Sequence, residues 1–469
     1  MTDDRTLVQQ VGAFAAKAAA NGVPDDVARS TEQRVLDIVG LSLAALPLET
    51  SDGVIDFALA QGGAPQAAVV GRADRLPAAQ AAFVNGVLAH SLDYDDTHLP
   101  SILHPSASVV PAALAAGQAV GASGRDVVNA AAVGIEVCVR LGMAGYDVES
   151  ANSLFFERGQ HATSICGGLG SAAAAALLYG LGEDGVAHAI GLAASMSSGV
   201  IEANRTGGTV KRLHCGWAAH AGVMAAELVS RGFTGPPTVL EGRFGFFEAW
   251  LSGQFRPEEI ADGLGEVWSV PGIFFKPYPA NHFTHAGIDA ARRLRGAGIT
   301  PDDVEHAVLA VAPPTVRTIG QPIEAKRAPE SGYHAKFSGP YTVAAAWHGG
   351  GGLGLGLDDF SDAAAARPEV RDLMARIDVE GDSDLLDIYP NQFPARLTVR
   401  TRDGSTVVEE VLANRGGPAD PLTDDELAAK FRDNAAVVLR AADVDELAGR
   451  IADIGACPDV TTLDLGCIG

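Results

Sequence analysis

The chain has 469 residues, with 34 lysines and arginines against 58 aspartates and glutamates, which gives a formal net charge of −24. A charge of this sign repels nucleic-acid phosphates and anionic lipid headgroups, so we expect neither a nucleic acid nor a membrane surface as a partner. Hydrophobic residues make up 47% of the sequence. This content excludes general disorder, and the length predicts two or three domains.

The sequence shows no targeting or membrane-spanning segment. Asp3 and Asp4 stand where a secretory signal has basic residues, and no stretch reaches the roughly 18 consecutive apolar residues of a membrane-spanning helix. We therefore expect a cytoplasmic protein. The five cysteines are an odd number and form no C-x-x-C pair, which predicts reduced thiols and no structural zinc or iron–sulfur framework.

The chain up to residue 272 is patterned as successive helices. Apolar residues recur at helical spacing in residues 6–20, and a second helix is predicted from Pro24 toward Leu46. Residues 124–144 and 170–181 are apolar nearly all round, so we expect these two helices inside a bundle.

Beyond residue 272 the pattern changes from helical spacing to alternation. Residues 307–311 and 395–401 alternate like strands, and a turn at 402–405 leads into a further alternating run at 406–411. The last two runs predict a β-hairpin. Helical spacing returns after Thr423.

This order of elements predicts a mainly α fold with two domains. The large all-helical domain is formed by both chain ends, residues 1–272 and 413–469, and a smaller α+β domain, residues 273–412, is inserted between them.

Residues 90–106 form the densest polar cluster, directly after an apolar helix that is predicted to end near Ala89. The ionisable side chains in this cluster are His90, Asp93, Asp95, Asp96, His98 and His104. Such a composition favours an acid/base site, in which a carboxylate orients an imidazole and the imidazole moves a proton. A metal site and a polar loop that caps helices through Asp93 or Ser106 remain alternatives.

Two further segments combine a histidine or fixed cations with small residues. His161 introduces a helix whose first turns are small and polar, so free backbone N–H groups there suit an anion. Residues 205–214 hold three fixed cations and no carboxylate. Lys211 and Arg212 are therefore candidate carboxylate ligands, unless they pair with acidic residues elsewhere.

The last candidate segment covers residues 275–285. It pairs Lys276 with two histidines, His282 and His285, which would share one face of the helix that follows. The segments together supply proton carriers and cations for anion recognition, and no motif for a cofactor.

These segments resemble the MmgE/PrpD family, and the motifs follow one another in the expected order over nearly the whole chain. The matching runs are HSLDYDDTH (90–98), HPS (104–106), GQH (159–161), KRLHCGWAAH (211–220), GFTGP (232–236), LEGRFGF (240–246), KPYP (276–279), AKFS (335–338) and YP (389–390). The resemblance implies a homodimer, a helical domain formed from both chain ends, and an α+β domain that acts as a lid.

The resemblance also implies an active site without a metal or other cofactor. The catalytic residues that the family pattern places on this sequence are Asp93, Thr97, His104, His161 and Lys211. Lys276 would bind substrate from the lid. Some decarboxylase-like members have a histidine directly after the alanine of the lid motif, where this chain has Asn281 and then His282. We therefore take His282 as a further catalytic candidate and Asn281 as a substrate-binding candidate.

The family includes 2-methylcitrate dehydratases, cis-aconitate decarboxylases and iminodisuccinate epimerases. The resemblance thus implies a cofactor-independent lyase, a dehydratase or decarboxylase, that acts on a small di- or tricarboxylate. Epimerisation of an amino or imino dicarboxylate such as iminodisuccinate uses the same groups and stays open. A non-catalytic carboxylate-binding or scaffold protein is the alternative of another class.

In the lyase hypothesis the candidate residues divide into two roles. Lys211, Arg212 and Lys276 would hold the carboxylates of the substrate. His104 and His161 would act as general base and acid. Asp93 would orient an imidazole, and Thr97 would donate a hydrogen bond.

Overall fold

The computed structural model describes residues 4–203 and 207–466, and the chain forms two compact units. The first consists of Met1–Ile273 and Phe431–Gly469, and the second of Phe274–Lys430. Helices predominate over a few short strands, which confirms the mainly α fold class.

The first unit is built from helices that pack around a core of alanine, valine, leucine and glycine. Its helices before the second unit are α1 (Leu7–Asn21), α2 (Asp25–Ala45), α3 (Glu49–Gln61), α4 (Ala78–His90), α5 (Ser106–Val120), α6 (Gly124–Ala144), α7 (Leu154–Glu157), α8 (Ala162–Leu178), α9 (Gly182–Met196), α10 (Val210–Val229), α11 (Phe246–Leu251) and α12 (Glu258–Ala261). Two short antiparallel ladders accompany them: β1 (Ala67–Ala68) with β2 (Arg75–Leu76), and β3 (Tyr146–Asp147) with β4 (Asn152–Ser153).

The sequence predicted α1, α2, α6 and the end of α4 individually, but α8 only in part. Its predicted span of 170–181 was wrong, because the helix begins at Ala162 with His161 at its N-cap. Glycines at the start of α8 weaken the local helical signal. Two of them, Gly167 and Gly170, lie where a side chain would collide with Ser108 and with the backbone of Gly134. Close packing against α5 and α6 therefore outweighs their poor helix propensity.

Small residues also bring α4 and α10 close together. A Cβ built on Gly86 of α4 would lie 2.8 Å from the Cα of Gly216 in α10. Real Cβ atoms do not approach a backbone atom so closely, so the two helices can touch only because both residues are glycine. This contact places the C-terminal end of α4 beside the N-terminal half of α10, where several of the predicted site residues lie.

One helix in the described ranges, α6, is long and apolar enough to cross a membrane by length and composition alone. However, 94% of its apolar window is buried inside the structure, as is usual for the core helix of a soluble bundle. It also carries Glu136 and Arg140, whose side chains pair at 2.7 Å.

The second unit combines a four-stranded sheet with short helices. Its helices are α13 (His285–Gly296), α14 (Pro313–Ile319), α15 (Ile323–Lys326), α16 (Gly332–Ala335), α17 (Gly339–His348), α18 (Asp362–Ala365) and α19 (Pro368–Met374). Its strands are β5 (Val304–Val311), β6 (Ile377–Gly381), β7 (Ala395–Thr401) and β8 (Thr406–Val411).

The sheet has the strand order β6-β5-β7-β8. β7 and β8 pair antiparallel from Ala395–Val411 to Arg400–Thr406, which confirms the predicted hairpin. β6 runs parallel to β5 and was not predicted, because its sequence, IDVEG, is short and carries two acidic residues. α13 packs on β7 and β8, and α17 packs on α13.

The chain returns to the first unit within α20 (Asp424–Ala435), and α21 (Ala441–Ala452) follows. In the first unit, the ring of Phe431 in α20 lies over Gly40 of α2, where a Cβ would come within 2.9 Å of it. Both helices were predicted from the spacing of their apolar residues.

We expect Gly86→Ala to lower the free energy of unfolding by about 1–3 kcal/mol, because the added methyl group must push α4 away from α10. Gly53→Ala is the matched control, since Gly53 lies inside α3 with open space around its Cα. That change should leave stability unchanged or raise it by up to about 1 kcal/mol. Chemical denaturation of both variants tests this, and equal stability would contradict the close contact.

Candidate active site

A buried ion pair holds the segment between α4 and α5. The Asp96 carboxylate lies 2.7 Å from the Arg34 guanidinium of α2 and accepts a 2.5 Å hydrogen bond from the Ser106 hydroxyl. Arg34 also donates to the carbonyls of Val270 and Ile273. Burial raises the pKa of Asp96 and lowers that of Arg34, and their mutual attraction opposes both shifts. The attraction between the two groups thus offsets part of the cost of burying them.

Asp95, the neighbour of Asp96, orients a histidine instead. Its carboxylate accepts a 2.7 Å hydrogen bond from Nδ1 of His90, the last residue of α4. The same carboxylate oxygen is 4.0 Å from Nδ1 of His104. The Nε2 atom of His90 is buried and has no hydrogen-bond partner in residues 4–203 and 207–466.

His104 is fixed in the same tautomer by a different acceptor. Its Nδ1 donates to the Asp96 carbonyl at 2.7 Å and lies 3.4 Å from the Thr97 hydroxyl. Its backbone N–H donates to the hydroxyl of Thr163 in α8. Nε2 of His104 is therefore the nitrogen that can accept a proton.

His161 and His214 form a directly bonded imidazole pair. Their Nδ1 atoms are 2.8 Å apart, and both residues are buried. Burial, followed by the charges of neighbouring His90 and Lys211, lowers the pKa of His214 to about 4. Burial and the same neighbours lower the pKa of His161 well below its usual value. Both rings are therefore neutral at neutral pH, and one hydrogen lies between the two Nδ1 atoms.

The four imidazoles form one continuous group, which we call the histidine cluster: His104, His90, His161 and His214. Ring centroids are 5.4 Å apart from His104 to His90 and 5.6 Å apart from His90 to His161. The centroids of His161 and His214 are 4.9 Å apart. Three helices and a loop that are distant in sequence supply these rings, so the fold gathers them into one place.

Lys211 adds a cation beside the histidine cluster. Its ammonium group donates to the Asp93 carboxylate at 2.9 Å, and both side chains are buried. Asp93 has a left-handed backbone with φ 54°, a conformation that aspartate tolerates better than most residues. This turn aims its carboxylate at Lys211. Asp95, rather than Asp93, is thus the carboxylate bonded to the His90 imidazole.

The first unit brings together five of the predicted residues: Asp93, Thr97, His104, His161 and Lys211. Arg212 points elsewhere, and its guanidinium donates to the Thr50 hydroxyl of α3 at 2.8 Å. Two residues of the cationic segment, Arg205 and Thr206, lie outside the described residues.

Sequence reasoning did not assign three members of this site: His90, Asp95 and His214. A usable signal existed for His214, because it follows Lys211 by three residues on α10 and so lies on the same helix face. His90 and Asp95 belong to the polar cluster at residues 90–106 but received no individual role. Nothing in the spacing distinguishes Asp95 from its two acidic neighbours, because which carboxylate meets an imidazole depends on the turn at Asp93.

The alternatives for residues 90–106 can now be compared with the structure. Neither Asp93 nor Ser106 caps a helix, because Asp93 pairs with Lys211 and the Ser106 hydroxyl donates to Asp96. Asp96 takes the capping role instead, since its carboxylate accepts a 3.3 Å hydrogen bond from the Ser106 backbone N–H at the start of α5. In residues 4–203 and 207–466 no three histidine, cysteine, aspartate or glutamate side chains are grouped so that they could hold a metal ion.

The second unit holds the three remaining candidates. Lys276 is buried. Asn281 accepts a hydrogen bond from the Phe283 backbone and so caps a short 3-10 turn at His282–Thr284. The rings of His282 and His285 stack with centroids 4.4 Å apart, which confirms that they share a face.

Comparison with known proteins identifies the family. The model of the MmgE/PrpD N-terminal domain matches residues 9–258, and that of the C-terminal domain matches residues 278–453. The chain therefore belongs to the MmgE/PrpD family, and the expectation of a lyase is confirmed.

Among individual relatives, the chain is 30% identical to the cis-aconitate decarboxylase of Mus musculus over 460 residues, which cover 94% of this chain and 90% of that protein. It is 31% identical to the cis-aconitate decarboxylase of Homo sapiens over 457 residues, with the same two coverages. It is also 25% identical to the cis-aconitate decarboxylase of Aspergillus terreus, in an alignment 475 positions long that covers 97% of this chain and 95% of that protein.

The adjacent buried carboxylates of Asp95 and Asp96 should contribute differently to the stability of the fold. We expect Asp96→Asn to lower the free energy of unfolding by about 3–5 kcal/mol, because it removes the carboxylate that is paired with the buried Arg34 guanidinium at 2.7 Å. Asp95→Asn is the matched control one residue away. Because the Asp95 carboxylate faces an imidazole and not a guanidinium, this substitution should lower the free energy of unfolding by less. Thermal and chemical denaturation of both variants measure the difference. A smaller loss for Asp96→Asn than for Asp95→Asn would contradict the assigned roles.

Proposed function

We propose that this protein is a decarboxylase of cis-aconitate, or of a tricarboxylate of the same shape, that works by general acid catalysis without a cofactor. The observation that carries the proposal is the histidine cluster, with Lys211 beside it, in a chain that aligns over nearly its whole length with cis-aconitate decarboxylases. The cluster supplies proton carriers, and Lys211 supplies positive charge.

The chemistry of cis-aconitate explains why these groups are needed. Carbon dioxide can leave from the carboxymethyl group, because the electron pair of the broken C–C bond then spreads over an allylic system next to a second carboxylate. A proton must be added at the far allylic carbon to complete the reaction. The substrate carries three negative charges and the product two, so each turnover consumes one proton. An acid and a nearby cation are the two requirements.

We assign the acid to His161 and the stabilising cation to Lys211. The ammonium group of Lys211 is oriented by Asp93, so it can meet a substrate carboxylate without a change of rotamer. Dehydration or epimerisation would need a base as well, and His104 is the residue that we assign to that role, because its Nδ1 is committed to the Asp96 carbonyl. Thr97 is proposed to donate a hydrogen bond to the substrate.

The remaining assignments are proposals from the sequence. Substrate binding by Lys276 and Asn281, catalysis by His282, the lid role of the inserted domain and a homodimeric assembly rest on the family resemblance. Substrate binding by Arg212 rests on the charge of its segment and requires its guanidinium to leave the Thr50 hydroxyl. The cytoplasmic location rests on the sequence pattern. We propose each of them as it stands in the sequence analysis, with the domain bounds given there.

The substrate can be identified by incubating the purified protein with cis-aconitate, 2-methylcitrate, citrate and iminodisuccinate in D₂O. We expect conversion of cis-aconitate, with release of carbon dioxide and one deuterium on the protonated carbon, observed by NMR. Loss of water from 2-methylcitrate would identify a dehydratase instead, and exchange of hydrogen without net conversion would identify an epimerase. No reaction with any of them would favour the non-catalytic alternative.

Removal of the proposed groups should reduce turnover without unfolding the protein. His104→Ala and Lys211→Ala should each lower kcat/KM about 10²-fold, because the first removes an imidazole of the cluster and the second removes the stabilising cation. Lys17→Ala is the control, since Lys17 is an exposed lysine on α1. Steady-state kinetics with cis-aconitate measure the effect. Full activity of both variants, at melting temperatures close to that of the wild type, would remove the proposed site.

A further inference from the structure

His214 has a contact that no part of the proposed mechanism yet uses. Its Nδ1 lies 2.8 Å from Nδ1 of His161, the proposed acid, while the ring of His161 also faces His90. A neutral imidazole carries one hydrogen, on either Nδ1 or Nε2. Because a hydrogen bond needs one donor and one acceptor, the hydrogen on one Nδ1 requires a lone pair on the other. The tautomer of His161 is thus tied to that of His214.

The pair is held rigidly on both sides. The Ser164 hydroxyl donates to the His214 carbonyl at 3.0 Å, and the His161 backbone N–H donates to the Gly199 carbonyl at 3.0 Å. A Cβ on Gly199 would lie 3.1 Å from the Cβ of His161, so the neighbouring chain also leaves His161 little freedom to move away. These contacts fix the backbone of both residues, so the two rings start from neighbouring anchored positions.

The charged and titratable groups around the pair come from three elements. His90 at the end of α4 and His104 in the following segment face His161, and Lys211 on α10 acts on both rings. Behind them, Asp95 is bonded to His90 and Asp93 to Lys211. Burial and the nearby cationic groups disfavour an added proton on the pair as long as no anion is present.

We propose that His214 is a positioning residue that sets the tautomer of His161 and supplies it with the proton that decarboxylation consumes. This inference rests on the proposed function. Nδ1 of His161 carries a lone pair and accepts a hydrogen bond from Nδ1 of His214. The hydrogen of His161 is therefore on Nε2, from which it can pass to the substrate. The pair takes up one additional proton when a tricarboxylate binds, since the negative charge of the ligand reverses the electrostatic penalty.

The proton balance of the step is closed within the pair and the substrate. In the complex, His214 carries hydrogens on both nitrogens and His161 carries one on Nε2. As the C–C bond to the leaving carboxylate breaks, the Nε2 hydrogen of His161 passes to the allylic carbon as a proton, and the Nδ1 proton of His214 passes to Nδ1 of His161. Both imidazoles end neutral, with hydrogen on Nδ1 of His161 and on Nε2 of His214, and carbon dioxide and the dicarboxylate product are released. A proton from solvent then binds Nε2 of His161, and the Nδ1 proton of His161 returns to Nδ1 of His214, which restores the charged pair for the next substrate. When no anion is bound, His214 releases its Nε2 proton and the resting tautomers are regained.

Two variants separate this role from a structural one. His214→Asn keeps an N–H donor near the position of Nδ1 but cannot carry an extra proton, and His214→Leu removes the donor as well. We expect kcat to fall 10- to 100-fold in His214→Asn with KM within about threefold of the wild type, and at least as far in His214→Leu. His220→Asn is the matched control on the same helix, since His220 donates only to the Ala79 carbonyl and stacks on Trp217.

The pH dependence provides a second readout. In the wild type, kcat should fall as pH rises through the pKa of the substrate-bound pair, because the pair then lacks its extra proton. In His214→Asn this fall should move to lower pH, since His161 alone must hold the proton beside Lys211. If His214→Asn retains the wild-type kcat and the wild-type pH dependence of kcat, His214 has only a structural role and the inference is overturned.

Proton uptake can be measured without turnover. The saturated analogue tricarballylate has no alkene and cannot form the allylic carbanion, so it reports binding alone. Calorimetry in two buffers of different ionisation enthalpy should show uptake of about one proton per site in the wild type near pH 7, and less than half of that in His214→Asn. Equal uptake in both proteins would contradict the proposal. If the wild type takes up the proton but does not decarboxylate cis-aconitate, the proposed function is wrong, whereas the proton coupling between His161 and His214 is supported.

A measurement on the wild type alone guards against a variant that does not fold. Selective ¹⁵N labelling of the 12 histidines allows NMR to determine which nitrogen of each ring carries hydrogen. We expect His161 to be protonated on Nε2 and His214 on Nδ1 in the free protein. Hydrogen on Nε2 of both rings would exclude the Nδ1–Nδ1 hydrogen bond and overturn the inference.

Discussion

The buried pair of Arg34 and Asp96 is the interaction on which the rest of the site depends. The Arg34 guanidinium contacts Asp96 and also donates to the carbonyls of Val270 and Ile273. Asp96 in turn accepts a hydrogen bond from Ser106 at the start of α5. The chain presents Asp93 and Asp95 just before the Asp96 anchor, and His104 between Asp96 and Ser106. A buried charge without its partner is costly, so the segment cannot relax without losing the pair. Its rigidity follows from electrostatics that are not themselves part of the reaction.

Helix packing then decides which groups meet this segment. The glycine contact between α4 and α10 brings His90 within range of the residues on α10, and α8 enters with His161 at its N-cap. Whereas the chain as a whole has a net charge of −24, the acidic residues in this region are each engaged by a cation or an imidazole. The result is a local environment in which a polyanion can be held although the molecule as a whole repels it.

Features that depend on neighbouring residues could be predicted from the sequence, whereas features that depend on contacts between distant segments could not. Helix α6 and the β7–β8 hairpin follow from local periodicity and turn residues, so their bounds were predicted closely. For α8 the sequence indicated a helix introduced by His161, but the apolar pattern placed a helix only at 170–181, because the early glycines weaken the helical signal and close packing against α5 and α6 compensates for them. The family motifs pointed to His104, His161 and Lys211, yet they could not show that Asp95 orients His90. That choice is made by the left-handed turn at Asp93, which no spacing rule predicts.

The geometry also bears on why one set of side chains can serve several reactions in this family. Decarboxylation adds a proton, dehydration moves one from carbon to a leaving hydroxyl, and epimerisation removes and returns one. What distinguishes them is the charge of the resting site, because a donor must hold a proton before the chemistry starts, whereas a base must lack one. Burial keeps His161 and His214 neutral in the free protein, so on our proposal the acid forms only when an anion arrives. A tricarboxylate then favours that proton more strongly than the dicarboxylate iminodisuccinate. Substrate charge therefore disfavours epimerisation, but it does not separate decarboxylation of cis-aconitate from dehydration of 2-methylcitrate, because both substrates carry three carboxylates.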